Sequence, residues 1–100
     1  MSLKKGQSPS ELPYVLTLVG QGSSDKLKLT YHNRKTGELK KKSEDGVTIA
    51  GLIPWLVKEW DTDFSLTEDG VVEFDEEYPG VVQAVLEGWH LARRKEAEKN

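Results

Sequence analysis

Residues 26–34 read KLKLTYHNR, and this stretch decides the fold because its apolar and polar side chains alternate at every second position. Leu27, Leu29 and Tyr31 point to one side of an extended chain, and the polar residues between them point to the other. A period of two with one apolar side is typical of a half-buried β-strand. The stretch therefore predicts a sheet that turns one face to a core.

The residues on either side extend this sheet. Residues 12–20 read LPYVLTLVG, which predicts a strand buried on both faces or pressed by one face against helices. Residues 21–25 have the composition of the turn that joins the two strands. A tight turn around Gly37 then leads to residues 38–42, which we interpret as a short third strand whose lysines suit a sheet edge. The first part of the chain thus predicts an antiparallel meander of two or three strands.

Helical spacing of apolar residues begins at Ile49 and continues to Trp60. Pro54 interrupts this stretch, and a proline in a helix interior loses a hydrogen bond and clashes with the preceding turn. The helix therefore begins near Pro54, or a looser turn from Thr48 leads into it. Residues 65–68 read SLTE, a capping box with Ser65 as the N-cap, and predict a further short helix.

The last helix has the clearest signals. Pro79 stands at its first turn, acidic residues precede it, and basic residues come near its end, which suits the helix dipole. Its apolar stripe consists of Val81, Val82, Val85, Leu86, Trp89 and Ala92. The predicted fold class is α+β: a small N-terminal antiparallel β-meander of two or three strands packed against two or three C-terminal helices. Residues 1–11 are predicted to be a flexible tail, and residues 12–100 a single domain.

Composition and charge exclude several classes of function. The chain has no cysteine, so disulfides and thiolate chemistry are excluded. Its longest apolar run is far shorter than the roughly 20 residues of a membrane span, and residues 1–11 lack the apolar stretch of a secretory signal. We therefore expect a cytoplasmic protein.

The charges of the chain are unevenly distributed. Residues 1–50 carry a net charge of +4 and residues 51–100 a net charge of −7. Nine acidic residues and no basic residue lie between Glu59 and Glu77. This asymmetry corresponds to two solvated faces of one domain, or to charge complementarity between copies of the chain or with a partner. The acidic stretch argues against nucleic-acid binding across that half.

No residue pattern predicts a catalytic, cofactor or metal site. His32 and His90 have no orienting partner nearby in sequence, as a catalytic histidine requires. Residues 61–65 read DTDFS and match the start of a calcium loop, but Leu66 and Val72 occupy the positions that need glycine and glutamate. Carboxylate pairs are expected by chance in so acidic a chain. The sequence therefore predicts a protein that is not an enzyme.

Tryptophan is abundant for a chain of this length. Trp60 and Trp89 fall on the apolar stripes and are interpreted as core residues. Trp55 lies off its stripe, so it is either a core residue or an exposed anchor for another chain. We predict a partner-binding surface formed by Trp55, Ile53 and Lys58.

Several short motifs follow one another in a characteristic order. Residues 31–34 (YHNR) end the charged strand, and residues 57–61 (VKEWD) close the predicted helix. Phe64, the residue 65–68 cap and residues 77–80 (EYPG) follow. Over roughly residues 14–92 this order resembles the tail assembly chaperones of long-tailed bacteriophages and prophages. The chain departs from that family at Glu59, where the family often has glycine, and at residues 70–72, which interrupt what is usually a better helix.

The resemblance implies a non-enzymatic protein that works in the cytoplasm of a bacterial host cell. Such a protein binds the tape measure protein during tail assembly and leaves as tail tube subunits polymerise. It implies the tape measure protein as partner, and the tail tube protein as a further one. The resemblance and the uneven charge distribution together favour self-association. We expect no binding to nucleic acid or to a membrane.

Four residues match the family pattern, namely Trp60, Asp61, Tyr78 and Pro79. We interpret three of them as fold determinants: Trp60 anchors the core, Asp61 forms the turn at a helix end, and Pro79 starts a helix. The alternatives are a structural phage tail or head-completion component, a small protein-interaction module of another pathway, and a small enzyme acting through carboxylates.

Overall fold

The computed structural model describes residues 9–20 and 23–99, with the backbone alone for residues 19, 20, 23, 24 and 96–99. Strand β1 (Glu11–Gly20) pairs antiparallel with β2 (Ser23–His32), and β3 (Val57–Trp60) pairs antiparallel with the other side of β2. The order in the sheet is β1-β2-β3. The α+β class is confirmed.

The predicted tail and the predicted hairpin turn fall partly outside the described residues, at residues 1–8 and at residues 21 and 22. The end of the predicted tail belongs to the fold. Glu11 begins β1, and the carbonyl oxygens of Pro9 and Ser10 accept hydrogen bonds from Asn33.

The prediction that one side of β2 faces the core is confirmed, because Leu27, Leu29 and Tyr31 are all buried. In β1 the even-numbered side chains face the core and Val15 is 49% exposed on the other side. The helices therefore cover one face of the sheet, which is the second of the two arrangements expected for β1.

The prediction of a third strand at residues 38–42 is wrong. These residues lie in helix α1 (Thr36–Glu44), which also contains Gly37. The Glu38 carboxylate accepts a hydrogen bond from the Lys35 N–H at the start of this helix. The lysines favour a helix and offer no alternating apolar side, so a strand would have nothing to bury.

The third strand instead comes from the predicted helix of residues 49–60. Helix α2 (Ile49–Leu56) starts at Thr48, whose hydroxyl accepts a hydrogen bond from the Gly51 N–H at 3.0 Å. Pro54 lies inside α2, which ends two residues later. The chain then becomes extended at Val57, so Trp60 belongs to β3 and does not end a helix.

Helix α3 (Glu68–Glu77) confirms the short helix, but its N-cap is Thr67 and not Ser65. The Thr67 hydroxyl accepts a hydrogen bond from the Gly70 N–H. A Cβ at residue 70 would lie 2.1 Å from the Ser65 carbonyl oxygen, so a glycine is required by the close approach of the preceding chain.

Helix α4 (Val81–Lys99) begins two residues after Pro79, so the prediction that Pro79 stands in its first turn is wrong. The Asp75 carboxylate, at the end of α3, accepts hydrogen bonds from the N–H groups of Gly80 and Val82. This capping satisfies main-chain donors at the start of α4.

The stripe of α4 packs against the sheet as predicted. Val81, Val85, Trp89 and Ala92 are buried, and Trp89 is fully enclosed. At Gly88 an added Cβ would lie 2.5 Å from the Tyr31 hydroxyl oxygen, so this glycine lets α4 approach β2 closely. The core thus lies between the sheet and the helices.

Candidate functional site

Ile53, one of the three predicted partner-binding residues, has no exposed surface. It faces the core from α2, because the apolar stripe of that short helix must cover the sheet. A partner could therefore reach Ile53 only if the fold opened first.

Trp55 is half-buried, and two cations of the chain itself lie against its ring. The Arg34 guanidinium carbon is 4.6 Å from the ring centroid and the Lys42 amine 5.6 Å. Arg34 Nε also donates a hydrogen bond to the Trp55 carbonyl oxygen at 3.0 Å. The Lys42 contact links α1 to α2, and the Arg34 contacts link α2 to the segment that precedes α1. A partner would have to displace them to reach the ring.

Lys58 is exposed on β3 and forms an ion pair with Glu11 of β1. The hydrogen bond that the Lys58 amine donates to the Glu11 carboxylate, together with the negative charge of that carboxylate, raises the pKa of the Lys58 amine. An exposed pair of this kind contributes little to stability. The structure does not bring the three predicted residues together into one exposed surface, because Ile53 is enclosed.

A different surface carries the features expected of a binding site. A cleft of about 530 Å³ opens where the hairpin end of the sheet, residues 61–64 and α3 meet. Its wall includes the aromatic residues Phe64, Phe74 and Tyr78. Five carboxylates line it: Asp25, Asp61, Asp63, Glu73 and Glu77. We name this surface the acidic cleft.

Phe74 organises the aromatic wall of the acidic cleft. Its buried ring stacks on Phe64, with centroids 4.5 Å apart and planes 6° from parallel. Tyr78 meets Phe74 edge to face at 5.6 Å, as does Trp60 at 5.4 Å on the core side. Tyr78 remains 43% exposed and Phe64 is half-buried. The wall is therefore buried at its centre and accessible at its margin.

Residues 61–64 are held in place by hydrogen bonds to residues of the sheet. Asp61 exchanges hydrogen bonds with Lys28, through its N–H and through its carboxylate, so it extends the pairing of β3 rather than ending a helix. Trp60 Nε1 donates to the Phe64 carbonyl oxygen at 2.9 Å, so Phe64 is fixed over α3. Trp60 is half-buried on the inner side of β3, which agrees with a role in packing.

The charge of the acidic cleft is strongly unbalanced, because one amine, Lys26, accompanies the five carboxylates. In the part of the chain that the structure describes, the single ion pair joins Lys58 and Glu11, away from the cleft. Like charges grouped beside a low-dielectric wall focus a negative potential. The cleft is therefore suited to a cationic partner.

The chemistry of the acidic cleft is that of recognition. Aromatic faces bind the methylene stems and cationic heads of lysine and arginine, and carboxylates pair with the heads. His90 is exposed beside Trp89 on α4, and His32 ends β2, so neither histidine lines the cleft. Among the described residues, no group of three or more His, Asp or Glu side chains could hold a metal ion.

Sequence reasoning missed this site although one of its signals was visible. The acidic stretch from Glu59 to Glu77 indicates a solvated face or charge complementarity with a partner, but the charge pattern alone does not connect it to the aromatic residues inside it. Phe74 and Tyr78 are four residues apart and share one side of a helix. The contributions of Phe64 and Asp25 depend on tertiary contacts that local patterns do not reveal.

No protein-family model, curated protein or solved structure matches this chain. No helix within residues 9–20 and 23–99 has the length and apolarity needed to cross a membrane.

Proposed function

We propose that this chain is a tail assembly chaperone of a phage or prophage and binds the tape measure protein in the cytoplasm of the bacterial host. The observation that carries the proposal is the acidic cleft, where accessible aromatic faces lie beside five carboxylates. The resemblance of residues 57–61 and 77–80 to that family supports the same function.

The acidic cleft is suited to a helical segment that presents lysine or arginine beside apolar side chains. Tape measure proteins are long and helical in the family that the chain resembles, so they expose many such segments before the tail tube surrounds them. Phe64 and Tyr78 would cover apolar side chains and the carboxylates would pair with the cations. Because both interactions are reversible, polymerising tail tube subunits could displace the chaperone.

The test is co-expression with the tape measure protein of the same phage, followed by affinity purification and titration of the purified pair. We expect a complex whose affinity falls as salt is raised. Glu77→Lys should weaken binding about tenfold or more, because an ion pair with the partner is replaced by repulsion between two cations, at a cost of at least about 1.4 kcal/mol.

Glu76→Lys is the matched control. Glu76 and Glu77 are neighbours in the last turn of α3 and both are exposed, but only Glu77 lines the acidic cleft. The two substitutions change net charge and helix-end electrostatics equally. Equal effects of both on binding would show that the cleft is not the site, and absence of any complex with the unmodified chain would show that the proposed function is wrong.

The composition of the mature particle distinguishes a chaperone from a structural component of the tail or of the head-completion apparatus. A chaperone leaves during assembly, so mass spectrometry of purified virions should detect the tail tube protein and not this chain. Stoichiometric presence of the chain in virions would favour the structural alternative.

A further inference from the structure

Strand β1 forms an edge of the sheet. Its ten residues pair with β2 on one side, and no other strand among the described residues pairs with its second side. An edge strand presents main-chain donors and acceptors to any strand that approaches it.

The contacts of Lys28 identify which residues of β1 face that open edge. The Lys28 N–H donates to the Asp61 carboxylate, and its carbonyl oxygen accepts from the Asp61 N–H, so the main chain of Lys28 points away from β1. Val15 lies opposite Lys28 in the register. In an antiparallel ladder two opposed residues either bond each other or both face outward. The main-chain groups of Val15 therefore face the open edge, as do those of Thr17 two residues on.

Residues 12–20 of β1 themselves provide little of the usual protection against pairing. Residues 12–20 contain no charged side chain, although 31% of the chain is charged. Natural edge strands generally carry lysines or other charges that discourage a second strand. Val15 adds an apolar side chain that is 49% exposed. Two features oppose pairing near the start of the strand. Pro13 lacks an outward N–H, and Lys95 of α4 lines a cleft together with Pro13 and Val15.

We propose that two copies of this chain pair through β1, antiparallel and with Thr17 opposite Thr17 of the second copy. The result is a continuous sheet of six strands, three from each copy. Two-fold pairing needs a strand that is compatible with itself, and β1 has no charge between residues 12 and 20 to repel its copy.

The Thr17 register follows from the position of Pro13. With Thr17 on the two-fold axis, the main chain of Val15 meets residue 19 of the second copy, and Pro13 remains beyond this stretch. Each facing pair exchanges two main-chain hydrogen bonds. In this register, the sheet faces that the helices leave uncovered lie on the same side of the six-stranded sheet. On that side the two Val15 side chains flank the pair of Thr17 side chains. The pairing does not rest on the proposed function, since the carboxylates and aromatic rings of the acidic cleft belong to other segments.

Thr17→Pro is the decisive variant, because its ring removes an outward N–H and leaves the ladder with β2 unchanged. Pro13 already occupies an equivalent position in the same strand. Sedimentation equilibrium over a range of concentrations should show the unmodified chain changing from monomer to dimer. Dimerisation of Thr17→Pro should be at least about tenfold weaker, since the hydrogen bonds at the two-fold axis are lost. Thr17→Val keeps the N–H and should dimerise like the unmodified chain.

Amide hydrogen exchange of the unmodified chain provides a test that needs no variant. The N–H groups of Val15 and Thr17 should exchange more slowly as concentration rises, while exposed amides in α1 stay unchanged. A strict monomer at all concentrations overturns the proposal, and so does a dimer that Thr17→Pro leaves intact. If the amides of Val15 and Thr17 are protected only when the tape measure protein is present, the edge pairs with a foreign strand and the proposed pairing of two copies is wrong.

Discussion

Two groups of aromatic residues in this small domain differ in how their surfaces are used. Tyr31 and Trp89 are fully buried, and the polar atom of each has a partner: the Tyr31 hydroxyl donates to the Val85 carbonyl oxygen and Trp89 Nε1 to that of His32. In the acidic cleft, Phe74 is buried but Tyr78 is 43% exposed and edges onto it.

The difference teaches that aromatic content alone does not separate stability from binding. Tyr31 and Trp89 join the sheet to α4, so their contacts are satisfied within the chain. The cleft group shields its centre and leaves a margin open beside negative charge. Substitutions in the first group should therefore change stability, and substitutions in the second should change binding.

The largest effect is expected for Trp89→Ala. Removing this fully buried ring leaves a cavity between the sheet and α4 and should lower the free energy of unfolding by about 3–5 kcal/mol. Urea denaturation followed by circular dichroism measures the loss. Trp55→Ala is the control, because its half-buried ring packs against Arg34 and Lys42 at the surface, and it should cost less than half as much. Equal losses for both variants would show that the fully buried ring of Trp89 contributes no more to stability than the half-buried ring of Trp55.

An intermediate effect is expected for Tyr31→Phe. The variant keeps the ring and loses the hydrogen bond to the Val85 carbonyl oxygen, which should cost about 1–2 kcal/mol near neutral pH. The same denaturation experiment measures this cost, and Tyr14→Phe at the half-buried neighbouring ring serves as its control.

The cost of Tyr31→Phe should also depend on pH. Burial, with a smaller contribution from the nearby Tyr14, raises the pKa of the Tyr31 phenol above its ordinary value. Above pH about 10 the unfolded chain therefore loses this proton while the folded chain retains it, and stability falls by up to about 1.4 kcal/mol per pH unit. Tyr31→Phe lacks this decline, so the stability gap between the two proteins should narrow from pH about 8 to about 11. A constant gap would mean that Tyr31 ionises equally in both states.

The smallest effect on stability is expected for Tyr78→Ala. Its edge-to-face contact with Phe74 is worth about 0.5–1.5 kcal/mol, and much of the ring is already in solvent. Binding of the tape measure protein should nevertheless weaken, and Tyr78→Phe should restore it. A loss of stability as large as that of Trp89→Ala would place Tyr78 in the core group.

The sequence predicted best where local periodicity and burial agree. Alternation identified β2 correctly because each of its inward side chains meets the core, and the stripe of α4 was correct for the same reason. The prediction of one helix over residues 49–60 was wrong because a single apolar stripe continues through both α2 and β3. Val57 faces the core in a strand as readily as in a helix, so spacing could not locate the change of structure.

The binding surface was harder to predict than the fold. The position of Trp55 off its stripe is compatible with a core residue or an exposed anchor, and spacing cannot reveal that Arg34 and Lys42 lie against its ring. The acidic stretch was visible as a charge pattern. Its association with an aromatic wall required Phe64 to stack on Phe74 across a turn.

The sequence by itself determined two consecutive strands of which β2 has one apolar face, a C-terminal amphipathic helix, and an excess of acidic residues in the second half. The strand and the helix follow from the order of side chains over short stretches of sequence, because the periods of two and 3.6 residues decide which side chains share a face. Only the tertiary structure decided that Val57–Trp60 completes the sheet and that Asp25 and Glu77 share one cleft. Such contacts join residues far apart in the chain, and they form because the apolar side chains must be buried together.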